Sequence, residues 1–166
     1  MRIGRTGRMG QTGKTNVQRI LEAAGVVHST LSYEVDESDL SAETAADKVG
    51  LPVERVWKTL AVRGESGEIA LCVIPGNAEL DFKKLAKALG EHRVAMLPLR
   101  ELEVETGYIR GGCSPIGTKR RLRTLVDETV ALFEEISVSA GRRGLQILLA
   151  PSDLLRIVGA ETADIT

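Results

Sequence analysis

The stretch Trp57-Lys-Thr-Leu-Ala-Val62, continued by Glu65-Ser-Gly-Glu68 and then by Ile69-Ala-Leu-Cys-Val-Ile74, decides the fold class. The first and third segments are rich in aliphatic and β-branched residues, which favours strands, and the segment between them has turn composition. We therefore predict a β-hairpin here. Because helical patterns lie on both sides of this hairpin, the sequence predicts an α+β fold.

Helix caps are the clearest signals outside the hairpin. Thr15 with Gln18 three residues later is a capping box, and Ser41 and Asp81 begin two further helices that end at glycines. Apolar runs separated by Gly and Pro predict additional strands and helices toward the C-terminus. The predicted helices cover residues 15–24, 41–49, 82–89, 99–105 and 151–158, and the predicted extended segments cover residues 26–35, 57–62, 69–74, 94–97, 124–126, 136–139 and 145–149. We expect one domain over residues 14–166, with a mixed or mostly antiparallel sheet.

Composition excludes several classes of protein. With 3% aromatic residues, the core must be aliphatic, and rows of stacking rings for nucleic-acid bases are not expected. The net charge of −1 means that any contact with RNA must use a local basic patch. Two cysteines do not form a disulfide framework, and no long apolar run predicts a membrane span, so we expect a cytoplasmic protein.

Residues 1–13 are rich in Arg, Gly and Thr, and we expect them to be a disordered leader. Their end, Gly10-Gln-Thr-Gly-Lys-Thr15, partly matches a phosphate-binding P-loop. Arg8 stands where that motif requires its first glycine, and no strand precedes it, so we exclude a P-loop.

The second distinctive stretch is Gly107-Tyr-Ile-Arg-Gly-Gly-Cys-Ser-Pro-Ile-Gly117. Its glycines exclude a regular helix or strand, and successive N–H groups in such a loop can bind an anion or a developing oxyanion. Glycine- and proline-rich segments also serve as plain connections, so the stretch alone leaves both interpretations open.

Lys58 lies on the first strand of the hairpin, on the same face as Leu60 and Val62. An ammonium group on an apolar face must reach an anion or extend its stem to water, because an unpaired buried charge is costly. Lys58 is therefore either a site residue or a surface lysine.

No protein nucleophile stands out. A Ser114 nucleophile would need a base, and His28 and His92 have no triad context, so we do not expect a serine hydrolase. The histidines and cysteines lack metal-ligand spacing, and we predict no metal site. We expect Cys72 and Cys113 to pack as small apolar groups.

A cluster of basic residues follows the glycine-rich stretch. Such a cluster can contact a phosphate backbone or can simply be a solvated face. Its members are Lys119, Arg120, Arg121 and Arg123, with Arg142 and Arg143 further on.

Four segments together resemble the YbaK family of free-standing Cys-tRNA(Pro) deacylases, which are similar to the editing domain inserted in bacterial prolyl-tRNA synthetases. The resemblance covers about residues 14–166 and is most specific in the glycine-rich stretch. The segments are Trp57-Lys-Thr-Leu60, Leu80-Asp-Phe-Lys-Lys-Leu-Ala-Lys-Ala-Leu-Gly90, Thr106-Gly-Tyr-Ile-Arg-Gly-Gly-Cys-Ser-Pro-Ile-Gly117 and Val138-Ser-Ala-Gly-Arg-Arg-Gly144.

The resemblance implies a curved or barrel-like sheet with helices packed around it and an enzyme that needs no cofactor. The implied enzyme removes cysteine from mischarged Cys-tRNA(Pro) in trans. The substrate's own thiol attacks the ester, and the cysteine leaves as a cyclic thiolactone. In formal class such an enzyme is a hydrolase or a lyase. The resemblance implies Lys58 as the catalytic residue. The implied substrate-binding residues are Tyr33, Thr59, Gly111, Gly112, Ser114 and Ser139.

Two departures from the family pattern are Cys113, where an aliphatic residue is usual, and Ala140 in place of a glycine. We expect Cys113 to point into the core. The implied partners are the acceptor end of tRNA(Pro) and prolyl-tRNA synthetase. Two alternatives remain: a deacylase for another small residue such as alanine, and a non-catalytic module that binds a tRNA 3′ end or a phosphate.

Overall fold

The computed structural model describes residues 13–166, so the predicted leader lies outside the described residues except for Gly13. The chain folds into five α-helices, eight strands and two short 3₁₀ helices over this range. The helices are α1 Asn16–Ala23, α2 Ala42–Val49, α3 Phe82–Leu89, α4 Leu99–Thr106 and α5 Pro151–Val158. The strands are β1 His28–Ser32, β2 Trp57–Gly64, β3 Ile69–Pro75, β4 Val94–Met96, β5 Arg123–Asp127, β6 Ile136–Ser139, β7 Leu145–Leu149 and β8 Glu161–Ala163. The 3₁₀ helices are Val53–Arg55 and Glu128–Leu132.

The strands form two sheets. A five-stranded sheet has the order β4-β2-β3-β5-β8, and a three-stranded sheet has the order β1-β7-β6. β5 pairs in parallel with both β3 and β8, whereas the other pairings are antiparallel, so the prediction of an α+β domain with a mixed sheet is confirmed. An isolated bridge between Val56 and Ser137 joins the two sheets, which do not close into a barrel over residues 13–166.

The predicted hairpin is β2–β3, with Lys58 opposite Ile74 and Leu60 opposite Cys72. Both strands are central in their sheet, and all of β3 from Ile69 to Ile74 is buried. Its near-continuous apolar sequence is typical of a strand covered on both faces. The hairpin is therefore the centre of the five-stranded sheet.

The helix caps form as predicted. At α1, the Thr15 hydroxyl accepts from the Gln18 N–H and the Gln18 side chain accepts from the Thr15 N–H. The Asp81 carboxylate accepts from two N–H groups at the start of α3. Local side-chain chemistry thus sets these helix starts.

The core is aliphatic, as the composition predicts. One cluster lies between the two sheets and includes Trp57, Val73 and Val138; a second packs beneath α3, and a third lies beneath α4. In the part of the chain that the structure describes, no helix is long and apolar enough to cross a membrane.

Candidate functional site

A cavity of about 480 Å³ lies where the two sheets meet the glycine-rich loop, residues 107–117. Its volume is within the range of about 300–1,000 Å³ that is usual for small-molecule sites. Among the residues predicted for the site, the structure brings five to this cavity: Tyr33, Lys58, Thr59, Gly111 and Ser139. It also brings Arg110, Cys113 and Gln146, which were not predicted as site residues.

Lys58 reaches the cavity because one edge of β2 is open at this point. β4 pairs with β2 only at residues 62–64, so the N-terminal half of β2 has no neighbour from that strand. None of the ion pairs found between residues 13–166 includes Lys58. Within that range, the ammonium is therefore an unpaired cation at the wall of the cavity.

Thr59 supplies a second polar group at the same wall. Its Oγ1 atom is buried and has no hydrogen-bond partner among the described residues. Buried hydroxyls are normally paired, because an unpaired one loses its bonds to water without replacement. Thr59 as a residue lines the cavity, so this unpaired hydroxyl lies beside the space that a ligand would occupy.

The glycine-rich loop contributes Gly111 to the cavity but not Gly112 or Ser114. Gly111 has φ +83°, and a Cβ there would lie 3.2 Å from Leu40. The Gly112 N–H donates to the Ile109 carbonyl, and the fully buried Ser114 hydroxyl accepts from the Ile116 N–H. Both groups are therefore used inside the loop, and a substrate-binding role for Gly112 and Ser114 stays a prediction.

The three-stranded sheet supplies the opposite wall. The Ser139 hydroxyl accepts from the Gly141 N–H over 3.2 Å, and Ser137 donates to Gln146 Oε1 over 2.8 Å. That bond fixes the orientation of the Gln146 amide, which is buried in β7. The signal for Gln146 was a polar residue within the apolar run Leu145–Leu149.

Cys113 is half-buried and is among the residues that line the cavity, so it is not wholly packed into the core as expected. Burial raises the pKa of its thiol to about 11, although a hydrogen bond with Thr106 lowers it in part. Cys72 is fully buried in β3, as expected, and burial raises its thiol pKa to about 12. Both thiols are therefore protonated near neutral pH, which disfavours a nucleophilic role.

Neither histidine lines the cavity. His28 lies on β1, where its Nδ1 is 2.8 Å from the Val26 carbonyl oxygen, and His92 lies in the exposed turn after α3. The cavity therefore holds hydroxyls, a thiol, cationic side chains and the carboxylate of Glu43, without an imidazole base.

The basic residues after the loop divide into two groups. Arg123 donates to the Leu89 and Ala88 carbonyls at the C-terminal end of α3 and lies 3.8 Å from Glu161, so its side chain has a structural use. Such a cation offsets the partial negative charge at the end of a helix. The remaining members of the first run are exposed: Lys119, Arg120, which pairs with Glu105 over 2.8 Å, and Arg121.

Arg142 and Arg143 lie on the turn between β6 and β7. Arg143 donates to the Arg110 carbonyl over 2.8 Å, and Arg142 donates to the Gly13 carbonyl over 3.1 Å. These bonds connect the turn to the glycine-rich loop and to the start of the described chain.

Comparison with known proteins agrees with this geometry. A protein of Enterococcus faecalis named "Putative Cys-tRNA(Pro)/Cys-tRNA(Cys) deacylase EbsC" is 46% identical over 153 residues, which is 92% of this chain and 93% of that protein. The "Proline--tRNA ligase" of Thermosipho africanus is 29% identical over 98 residues, 59% of this chain but only 17% of the ligase.

A solved structure described as "Crystal structure of a putative trans-editing enzyme for prolyl tRNA synthetase" superposes with a TM-score of 0.77 at 28% identity, covering 90% of this chain and 94% of that one. Residues 36–157, which contain every element of the cavity wall except Tyr33, match the family described as "Aminoacyl-tRNA editing domain". The chain therefore belongs to the aminoacyl-tRNA editing domain family.

Proposed function

We propose that this protein is a trans-acting aminoacyl-tRNA deacylase that removes cysteine from mischarged Cys-tRNA(Pro). The 46% identical relative is named for this activity, and that likeness covers nearly all of both chains. The proposed setting is the cytoplasm, where mischarged tRNA is made. Prolyl-tRNA synthetase is the proposed protein partner, because its editing domains belong to the same group of similar sequences.

The observation that carries the proposal is the unpaired Lys58 ammonium at the cavity wall, with the unpaired, buried Thr59 hydroxyl on the neighbouring residue. An ester presents a carbonyl oxygen and a ribose oxygen, both of which gain negative charge when the ester is cleaved. Fixed donors aimed at such oxygens stabilise the transition state. We propose Lys58 as the catalytic residue in this sense.

The proposed chemistry uses the substrate's thiol as the nucleophile. Its sulfur attacks the ester carbonyl carbon, so that a C–S bond forms while the bond from that carbon to the ribose oxygen breaks. The ribose oxygen leaves with a proton, and the cysteine departs as a cyclic thiolactone. The protein's task is to hold the aminoacyl group in the attacking geometry.

This chemistry suits the residues that line the cavity. A protein nucleophile would need a base, but the Ser139 hydroxyl has no imidazole beside it in the cavity, and burial raises the pKa of the Cys113 thiol to about 11. We propose that Tyr33, Gly111 and Ser139 bind the aminoacyl group, while Gly112 and Ser114 keep the loop in shape.

For the tRNA body we propose contacts from the exposed residues Lys119, Arg120 and Arg121 and from Arg142 and Arg143. Arg123 is excluded from this set because its guanidinium holds the end of α3. Replacing Arg120 and Arg121 with Ala should raise the KM for tRNA and reduce its salt dependence. If the KM for tRNA and its dependence on salt concentration did not change, Lys119, Arg120 and Arg121 would be ordinary solvent-exposed residues without a tRNA contact.

The test is a substrate panel with purified protein, with and without prolyl-tRNA synthetase. Cys-tRNA(Pro) should be cleaved, with thiolactone trapped as a product, while Ala-tRNA(Pro) and Ser-tRNA should persist. Cleavage of Ala-tRNA(Pro) at a similar rate would overturn the thiol mechanism, since alanine has no thiol. Binding of tRNA without cleavage of any ester would refute the enzymatic proposal.

A further inference from the structure

A second cavity, of about 390 Å³, is an open concavity. It is lined by the start of α1, by Tyr108 and by the β6–β7 turn. Its described lining includes three cations, Lys14, Arg19 and Arg142, and no carboxylate. A concave site with one sign of charge concentrates ions of the opposite sign.

The two cavities are lined by consecutive residues at the end of β6. Ser139 lines the first cavity, and its neighbour Ala140 lines the second together with Gly141. Arg110 stands on the wall of the first cavity, and its carbonyl is held by Arg143 from the same turn. The segment 139–142 therefore joins the two cavities, and Arg110 is bonded to the residue that follows it.

The separation of the cavities is fixed by tight packing. The Tyr108 hydroxyl donates to the Ile116 carbonyl over 2.6 Å, which fixes this ring at the loop. Gly141 has φ +94°, and a Cβ there would lie 3.0 Å from the Tyr108 ring and 3.1 Å from Val17 on α1. Helix α1, the loop and the turn thus form one packed unit around the second cavity.

The cationic side chains of the second cavity have few strong partners among the described residues. Lys14 pairs with Glu22 over 2.8 Å, but both side chains are exposed, and Arg142 donates to the neutral Gly13 carbonyl. Exposed ion pairs of this kind contribute little and exchange readily. The capping box already pairs the Thr15 and Gln18 N–H groups at the start of α1. The attraction for an anion therefore comes from the cationic side chains and not from the helix end.

We propose that the second cavity binds a backbone phosphate of the same RNA strand whose aminoacyl end occupies the first cavity. This inference rests on the proposed function and adds a location: the strand runs from Lys58 past Arg110 to Lys14, Arg19 and Arg142. The site recognises phosphate charge and not base identity. Its described lining offers mainly cations, and the Tyr108 hydroxyl is already bonded to carbonyl groups of the loop.

The experiment compares two substrates for the double variant Lys14→Ala/Arg19→Ala. One is full-length Cys-tRNA(Pro), and the other is cysteine esterified to the 3′ hydroxyl of adenosine, which has the ester but no phosphate. The matched control is Lys83→Ala/Lys87→Ala, because these lysines are exposed on α3 and line neither cavity. Melting curves of both variants check that the fold is retained.

We expect kcat/KM for Cys-tRNA(Pro) to fall about tenfold in the Lys14/Arg19 variant, with a salt slope smaller by about 0.7–0.9 for each phosphate that the variant no longer neutralises. Cleavage of cysteinyl-adenosine should be unchanged, and the α3 control should match wild type on both substrates. Equal losses on the two substrates, no loss on the tRNA, or an equal loss in the α3 control would each overturn the second site. If the wild type cleaved neither substrate, the proposed function itself would fall first.

Discussion

Replacing Thr59 with Val is expected to make the protein more stable and less active. Thr59 Oγ1 is buried without a hydrogen-bond partner in the described structure, so folding removes this hydroxyl from water and provides no replacement bond. Valine has nearly the same shape and carries a methyl group at that position. Because an unpaired buried hydroxyl costs about 1–3 kcal/mol, the free energy of unfolding should rise by about that amount. The melting temperature should rise by about 2–4 °C for each kcal/mol in a domain of this size.

The same substitution should slow deacylation. If the substrate supplies the missing partner of Oγ1, removal of this hydroxyl should lower kcat/KM for Cys-tRNA(Pro) by about 5- to 100-fold. Urea unfolding followed by circular dichroism measures the first effect, and release of cysteine from labelled tRNA measures the second. Stability and activity would then change in opposite directions at one atom.

The matched control is Thr124→Val in the same sheet. Thr124 is also buried, but its hydroxyl donates to the Leu122 carbonyl over 3.1 Å, so its removal should lower the free energy of unfolding by about 1 kcal/mol. A loss of stability in Thr59→Val equal to that in Thr124→Val would refute the reasoning, because it would show that the Thr59 hydroxyl is paired. Full activity in Thr59→Val would separate this atom from the substrate.

Lys58→Met should lower kcat by about 100- to 1,000-fold, as expected when one transition-state donor is removed. The free energy of unfolding should change by less than about 0.5 kcal/mol, since no ion pair of the described residues is broken. Activity near that of wild type would contradict the catalytic role. Gly111→Ala should cost about 1–2 kcal/mol of stability and also reduce activity, because φ is +83° and the new Cβ would crowd Leu40. Its control is Gly67→Ala, with φ +93° and no atom within 4 Å, which should cost stability alone. Burial raises the pKa of the Cys113 thiol to about 11, so its alkylation by iodoacetamide should be slow at pH 8. The rate should rise about tenfold per pH unit until that pKa is reached. Alkylation already at its maximal rate at pH 8 would contradict this.

Local signals in the sequence were sufficient for the helices and for the hairpin. Asp81 and the glycine after α3 are neighbours in sequence of the groups they cap, so their effect can be predicted without the tertiary structure. Strand β8 was missed because Glu161 and Thr162 are polar and exposed, and their pairing with β5 depends on residues far apart in sequence. Its position is supported by the Asp127 carboxylate, which accepts from the Ile165 N–H.

The site could be predicted in part for a similar reason. Strand alternation places Lys58 and Thr59 on opposite faces, yet both line one cavity because it opens at the edge of β2, where β4 no longer pairs. The loop composition indicated a ligand site, but only the hydrogen bonds show that Gly112 is engaged with Ile109. The position of Cys113 on the cavity wall depends on how the whole loop packs, which no local pattern specifies.

The isolated bridge between Val56 and Ser137 makes the cavity a gap between two sheets and not a hole within one. Trp57, which follows Val56 and lines the cavity, meets the ring of Phe133 edge to face with centroids 6.1 Å apart. Substrate selection can therefore diverge through residues that never touch the substrate. We expect a change of ring size at Phe133 to shift Trp57 at the cavity wall, and with it the acyl groups that fit, while Lys58 and Thr59 stay the same.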